Sequence, residues 1–105
     1  MRIYMVCKKA THDLSSLPEG AELRYLFSSI NTHYDDYEWA YDIIDRTFES
    51  ITEEDRLILN GPAWAMAIVS YLWLTNTKRS TYGILQYDVR QRRYVEMKGA
   101  IPGAV

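Results

Sequence analysis

The chain has a single cysteine, Cys7, so no internal disulfide can form and a disulfide-stapled secreted module is excluded. It has two histidines, His12 and His33, far apart and without cysteine neighbours, so no zinc-ligand spacing exists and no metal site is expected. No apolar run approaches the length of a membrane span, since the longest, Ala63 to Leu74, covers about a dozen residues. The opening "MRIYMVCKKA" is too short and too polar for a signal peptide, which points to a cytoplasmic protein without membrane contact. There is no repeat, no low-complexity tract, no G-x-G-x-x-G, no Walker loop and no nucleophile elbow. Dinucleotide binding, P-loop chemistry and α/β-hydrolase chemistry lose their usual signatures, and no cofactor is implied.

What is present is a single domain's worth of ordinary globular sequence. The 105 residues are 48% hydrophobic and 25% charged, enough for one small core. Nine Tyr and three Trp are a heavy aromatic load. The net charge of −2 conceals an asymmetry. Residues 1–55 hold five basic against twelve acidic groups, a net −7, and residues 56–105 hold seven against two, a net +5. A basic half can serve an anionic ligand, or the halves can attract each other or a second copy.

Hydrophobic spacing orders the elements. "RIYMVC", Arg2 to Cys7, reads as a buried strand with Cys7 as an apolar core residue. "SLPE" has the form of a capping box, with Ser16 as N-cap and Glu19 three positions on, so a helix is expected from Leu17 to Ser29. Arg24 to Ile30 also alternates as a strand would, and the capping box favours the helix. In "HYDDYEWAYDIIDRTFESI", Tyr37, Tyr41, Ile44, Phe48 and Ile51 make one apolar helical stripe. Asp35, Asp36 and Glu38 suit its first turn, where the helix dipole favours negative charge. "RLILN", Arg56 to Asn60, is a strand. A nearly all-apolar helix follows from Pro62 or Ala63 to Leu74, in which Ala63, Ala67 and Ser70 offer a small face for close approach to a sheet. "YGILQYDV", Tyr82 to Val89, and "RYVEMKG" flank the turn "RQRR" in a terminal hairpin, and residues 98–105 form a loose tail. This order implies a small Rossmann-like, three-layer α/β domain spanning 1–105, with a mainly parallel sheet, right-handed crossovers and an antiparallel C-terminal hairpin.

"NGPA" then marks a strand-to-helix turn. Gly61 permits the tight turn, and Pro62 fits the first helical turn, where its missing N–H costs nothing. Free N–H groups at Ala63, Trp64 and Ala65 can receive an anion beside the amide of Asn60. The loop after the first strand, "KKATHDLS", should reach the same sheet edge. It offers Lys8, Lys9, Thr11, His12, Asp13 and Ser15, a set suited to a phosphodiester, although Asp13 and Ser15 also suit plain turn chemistry. His33 reads as a surface residue, and the basic "VRQRRY" turn as solvated, with no duplex nucleic acid expected.

"THDLS" after the first strand, "LILNGPAWAMAIVSYL" and the closing "YVEMKGAI" together resemble the small standalone CRISPR-associated proteins of type III systems, related to the CRISPR-associated Rossmann domain. Thr11 and His12 fit that family's Ser/Thr-His-x-Leu element, and Asn60, Gly61, Pro62 and Ala63 its N-x-P-like turn. The resemblance implies a homodimer, possibly assembled further, that binds cyclic oligoadenylate, most often cyclic tetra-adenylate, across its two-fold axis in antiviral defence. It also implies possible metal-independent ring-nuclease activity. A ribose 2′-hydroxyl would attack the adjacent phosphorus and leave a 2′,3′-cyclic phosphate, with His12 as acid or base and Lys8 or Lys9 steadying the phosphorane. On that reading Thr11, His12, Asp13, Ser15, Asn60, Gly61, Pro62, Ala63 and Trp64 hold the ligand. The alternatives are a non-catalytic messenger sink or sensor, or a structural or adaptor protein that uses its aromatic surface, including Trp39 and Trp64.

Overall fold

The interior strand β1 (Arg2–Cys7) buries Ile3 to Val6 without a break, as a parallel strand covered on both faces should. Alternation sends Ile3 and Met5 to one face and Tyr4 and Val6 to the other. In the computed structural model, which describes residues 1–8, 12–27, 37–76, 78–97 and 99–102, four more strands and two helices complete the fold. These are β2 (Glu22–Phe27), α1 (Tyr37–Phe48), β3 (Arg56–Ile58), α2 (Ala63–Leu74), β4 (Ile84–Asp88) and β5 (Arg93–Met97). The five-stranded sheet has the order β2-β1-β3-β4-β5. β2, β1, β3 and β4 run parallel, and β5 pairs antiparallel to β4 with Tyr87 opposite Tyr94. This is the mainly parallel α/β sheet with a C-terminal antiparallel hairpin that the element pattern implies.

Right-handed crossovers decide what covers each face. The step from β1 to β2 moves one way across the sheet, and the steps through α1 and α2 move the other way, so they cover opposite faces. Both helices pack on the face of Tyr4, Val6 and Leu57. The other face, with Ile3, Met5, Ile58, Leu85 and Tyr94, is covered by Leu14, Leu17 and Ala21 of the β1–β2 connection.

That connection corrects the expected helix at Leu17–Ser29. The Ser16 hydroxyl does not cap a helix, because it accepts the Tyr94 N–H at 2.9 Å. Two turns follow, Leu17 N–H to the Leu14 carbonyl at 3.1 Å and Ala21 N–H to the Pro18 carbonyl at 3.2 Å, with Gly20 at φ 80°. The Glu22 N–H then reaches the Met1 carbonyl at 3.0 Å and β2 begins. Ser28 to Ile30, and the Asp35 and Asp36 placed in the start of the next helix, lie outside the described residues, as does His33.

The expected helix faces hold in part, with Tyr37 of α1 and the small face of α2 the exceptions. α1 buries Ala40, Ile44 and Phe48, continued by Ile51, while Tyr37 is 58% exposed. α2 buries Ala65, Ile68, Val69, Leu72 and Trp73, so its small residues Ala63 and Ala67 face solvent instead of the sheet. Large buried side chains suit this layer better, since each contributes about 1.5–3 kcal/mol when fully buried. Trp73 meets Phe48 and Tyr4 edge to face, with centroids 5.3 and 6.2 Å apart. Its indole N–H donates to the Tyr82 carbonyl at 2.7 Å.

Buried polar groups lock the N-terminal end of the strands. Asp55, 2% exposed, accepts the backbone N–H groups of Arg2 and Thr52, each at 2.9 Å, and the Arg2 guanidinium at 3.0 Å. Arg79, 4% exposed, donates to the carbonyls of Thr52 (2.9 Å), Asp55 (2.8 Å) and Thr81 (3.3 Å), and its guanidinium carbon lies 4.3 Å from the Trp73 ring centroid. Glu53 accepts the N–H groups of Ser80 and Thr81 at 2.8 and 3.0 Å. Within the stretch expected to be loose, Tyr82 N–H bonds the Gly99 carbonyl at 3.2 Å and Ile101 N–H the Ser80 carbonyl at 2.8 Å, so residues 99–101 are tied to the 80–82 segment.

Candidate functional site

In a sheet of this order the direction in which strands are added reverses between β1 and β3, and ligands of open α/β sheets bind outside the C-terminal strand ends at such a switch point. Here the side chain of Asn60 extends the β1–β3 contact. Its Oδ1 accepts the Cys7 N–H at 3.1 Å, and its Nδ2 donates to the Cys7 carbonyl at 3.0 Å. Gly61 follows at φ 113°, and a Cβ there would stand 2.5 Å from Cys7 Sγ. Asn and Gly are therefore required by packing at this turn: one mimics a strand partner, the other leaves room for a thiol. Pro62 caps α2 in extended conformation, its carbonyl accepting the N–H groups of Ala65 and Met66, each at 3.1 Å. Ala63 is exposed, and Trp64 is half-buried with its ring 6.3 Å from that of Phe27. Cys7 is the half-buried last residue of β1, and burial pushes its thiol pKa up.

The structure thus brings Lys8, Asn60, Gly61 and Pro62 to one rim, and it takes His12 elsewhere. The imidazole of His12 stacks flat on Tyr87 of β4, with centroids 4.0 Å apart and planes 7° apart, and Tyr87 meets Tyr94 edge-on at 5.2 Å. Tyr87 packs with the face opposite α2, so His12 and the α2 N-terminus sit on different sides of the sheet. Asp13 accepts the Ser15 N–H at 2.8 Å in a local turn, and Ser15's hydrogen bonds hold its carboxyl below its ordinary value. Lys8 and Ser15 are exposed. Lys9 and Thr11 lie outside the described residues.

A second feature lies on the helical layer. α2 carries no charged side chain in twelve residues, yet Ala63, Ala67 and Tyr71 form an exposed stripe at helical spacing, with Tyr71 60% exposed. Beside it stand two α1 tyrosines, the exposed Tyr37 and the half-buried Tyr41 at the edge of the core, with ring centroids 5.9 Å apart. Together with Glu38 and Asp42 they line a shallow depression of about 250 Å³. Local desolvation, then the charge of Asp45 and the nearby Tyr71 and Tyr37 hydroxyls, raise the Tyr41 pKa. Glu38, Asp42 and Asp45 are exposed and enter no ion pair among the described residues. The absence of charge from α2 is the signal in the chain that marks this face.

The β4–β5 turn is the electrostatic counterpart. Asp88 Oδ1 accepts the N–H groups of Arg90 (2.9 Å) and Gln91 (3.2 Å), and its Oδ2 accepts the Gln91 amide at 2.9 Å. One carboxylate therefore shapes the turn, and Arg90, Arg92 and Arg93 stay exposed, with none of them in an ion pair among the described residues. Val89, 73% exposed, stands next to them. No group of side chains among the described residues is arranged to hold a metal ion, and no helix among them is long and apolar enough to cross a membrane.

Compared with known proteins, residues 2–101 match the family described as Phage Pam3 gp32-like protein. That is a phage protein family, not a CRISPR-associated one. The match overturns the resemblance to type III CRISPR-associated proteins, and with it cyclic tetra-adenylate as ligand, messenger capture or sensing, and ring cleavage. The two short segments behind that resemblance have other uses here. Leu14 of "THDLS" belongs to a face-covering connection, Asn60 joins the end of β3 to β1, and Gly61 clears the Cys7 thiol. No curated protein matches, and no solved structure matches.

Proposed function

The chain belongs to the phage Pam3 gp32-like family, and on that premise we propose that it is a protein-binding module whose helical face docks a cationic protein surface. One observation carries this reading: α2 has no charge, exposes Ala63, Ala67 and Tyr71, and lies beside Tyr37 and Tyr41. Tyrosine supplies large contact area at low entropic cost and is enriched among the residues that dominate binding energy. Glu38, Asp42 and Asp45 supply the polar rim and set the sign of the partner. The half-buried Cys7 thiol suits the reducing cytoplasm as the place of action.

The test is a titration of isotope-labelled protein with a synthetic peptide of alternating arginine and leucine, followed by amide chemical shifts. Shifts should concentrate at residues 37–45 and 67–74. A Tyr41→Ala/Tyr71→Ala variant, folded by circular dichroism, should bind at least about tenfold more weakly. Shifts confined to residues 60–64, or an unchanged affinity in the variant, would reject the reading.

A further inference from the structure

We infer that the cationic surface taken by this face is the β4–β5 turn of a second copy of the same chain, in a head-to-tail contact. The inference rests on the helical-face reading and adds the partner. The molecule carries two charge sets of opposite sign that enter no ion pair among the described residues. Glu38, Asp42 and Asp45 lie at i, i+4 and i+7 on α1, spread over roughly 10 Å of helix axis. Arg90, Arg92 and Arg93 lie within four residues at the β4–β5 turn. The two sets match in number and are opposite in sign.

They cannot satisfy each other within one molecule. α1 packs against α2 and β2, and β2 forms one edge of the sheet, whereas the arginine turn belongs to β5 at the other edge. Complementary patches at opposite ends of a protomer join different copies. Such a contact is heterologous, so the copies close into a ring or continue as a filament according to the rotation between neighbours. This differs from the two-fold homodimer that the overturned resemblance implied.

The chemistry of the face suits arginine. Guanidinium groups pair with carboxylates through two N–H donors and also stack on aromatic rings, and the face offers carboxylates set among Tyr37, Tyr41 and Tyr71. Val89, next to the arginines, brings an apolar group to the tyrosine-lined depression. Asp88 has already fixed the turn, so little order is lost when it docks. The formal net charge of −2 opposes the approach of like copies only weakly.

The experiment is sedimentation velocity on the full chain over a wide concentration range, at low salt and at about 1 M salt, where the screening length falls to about 3 Å. Two variants are compared, Arg90→Glu/Arg92→Glu on the turn and Asp42→Arg/Asp45→Arg on α1. Wild-type protein should associate, and high salt should weaken the association about tenfold or more. Each variant alone should remain monomeric, since it repels itself at the contact. An equimolar mixture of the two should assemble again, because every turn then faces a helix of opposite sign, and this recovery also shows that both variants fold.

Monomeric wild type at all concentrations overturns the second-copy assignment and leaves the helical face to its own peptide titration. Association lost in the α1 variant and retained in the turn variant overturns the assignment while the face survives. Association unchanged in both variants overturns both readings. Loss in both without recovery in the mixture overturns the pairing of these two patches. Binding of a labelled DNA duplex that needs Arg90 and Arg92, in a wild type that stays monomeric, would give the turn to nucleic acid and overturn the assignment.

Discussion

The charges at the N-terminal end of the strands and the charges on the outer surface are treated in opposite ways. At the strand ends, Asp55 has three donors and the Arg79 guanidinium reaches three carbonyls, with only its Nε lacking an oxygen partner as it lies over Trp73. On α1 and on the β4–β5 turn, three carboxylates and three guanidiniums have no ionic partner among the described residues. Burial explains the first group, because an unpaired charge in a low-dielectric interior is costly. The second group costs little in water and contributes little to stability. Substitutions can therefore separate the two regions, with effects on folding in one and on binding in the other.

The largest expected effect comes from Gly83→Ala. Gly83 has φ 59°, and a Cβ there would fall within the Arg79 guanidinium, 2.7 Å from its Cζ. The guanidinium must then leave its three carbonyls and Trp73. Urea unfolding should show a loss of about 3–5 kcal/mol, the range for breaking a buried charge network. A loss below about 1 kcal/mol would mean that Arg79 is not held as described.

Asp55→Asn should cost less, about 2–3 kcal/mol at neutral pH, with a defined pH dependence. Burial opposes ionisation of Asp55, but hydrogen bonds from the Arg2 and Thr52 N–H groups and from the Arg2 guanidinium outweigh it and hold the carboxyl below its ordinary value. The folded pKa thus lies below the unfolded one. The stabilisation is complete above the unfolded value, near 3.9, and disappears as pH falls through the folded value. The gap between wild type and variant in urea should therefore be constant from pH 7 to about pH 5 and narrow below about pH 4. A gap that widens in acid would reverse the assigned sign.

Gly61→Ala tests the rim. A side chain at φ 113°, 2.5 Å from Cys7 Sγ, should cost about 1–3 kcal/mol. Adding Cys7→Ala should recover part of that loss, and additive single effects in a double-mutant cycle would show that the thiol is not the obstacle. The smallest effect on stability belongs to Arg90→Glu, within about 0.5 kcal/mol of wild type by the same unfolding assay.

Much of this architecture is legible in the chain, and the exceptions have physical causes. β1, α2 and the β4–β5 hairpin are long apolar or alternating runs between turn residues, and they fold where their spacing places them. β2 is visible only as the second choice: Arg24 to Ile30 alternates as a strand would, but "SLPE" looks like a helix start, while the Ser16 hydroxyl is used 78 residues away by Tyr94. As an edge strand it buries only Leu26 and Phe27. The α1 stripe holds at Ile44, Phe48 and Ile51 and in part at Tyr41, but Tyr37 resembles a core residue and is exposed, while the small Ala40 fills a core position the stripe omitted. "NGPA" announced its turn correctly. Its reason, a side chain completing a strand contact and a glycine clearing a thiol, depends on Cys7, 53 residues from Asn60. His12 showed no sequence mark of its stacking on Tyr87, because that contact depends on the path of the connection across the sheet.

The central claim is that the unmatched charges and tyrosines are matched by another protein surface, and amide chemical shifts recorded as the protein is concentrated test it most directly. The account predicts coupled shifts at residues 37–45 and at residues 88–93, with the network around Asp55 and Arg79 unmoved. Spectra that do not change with concentration, or that change only around residues 60–64, would contradict it.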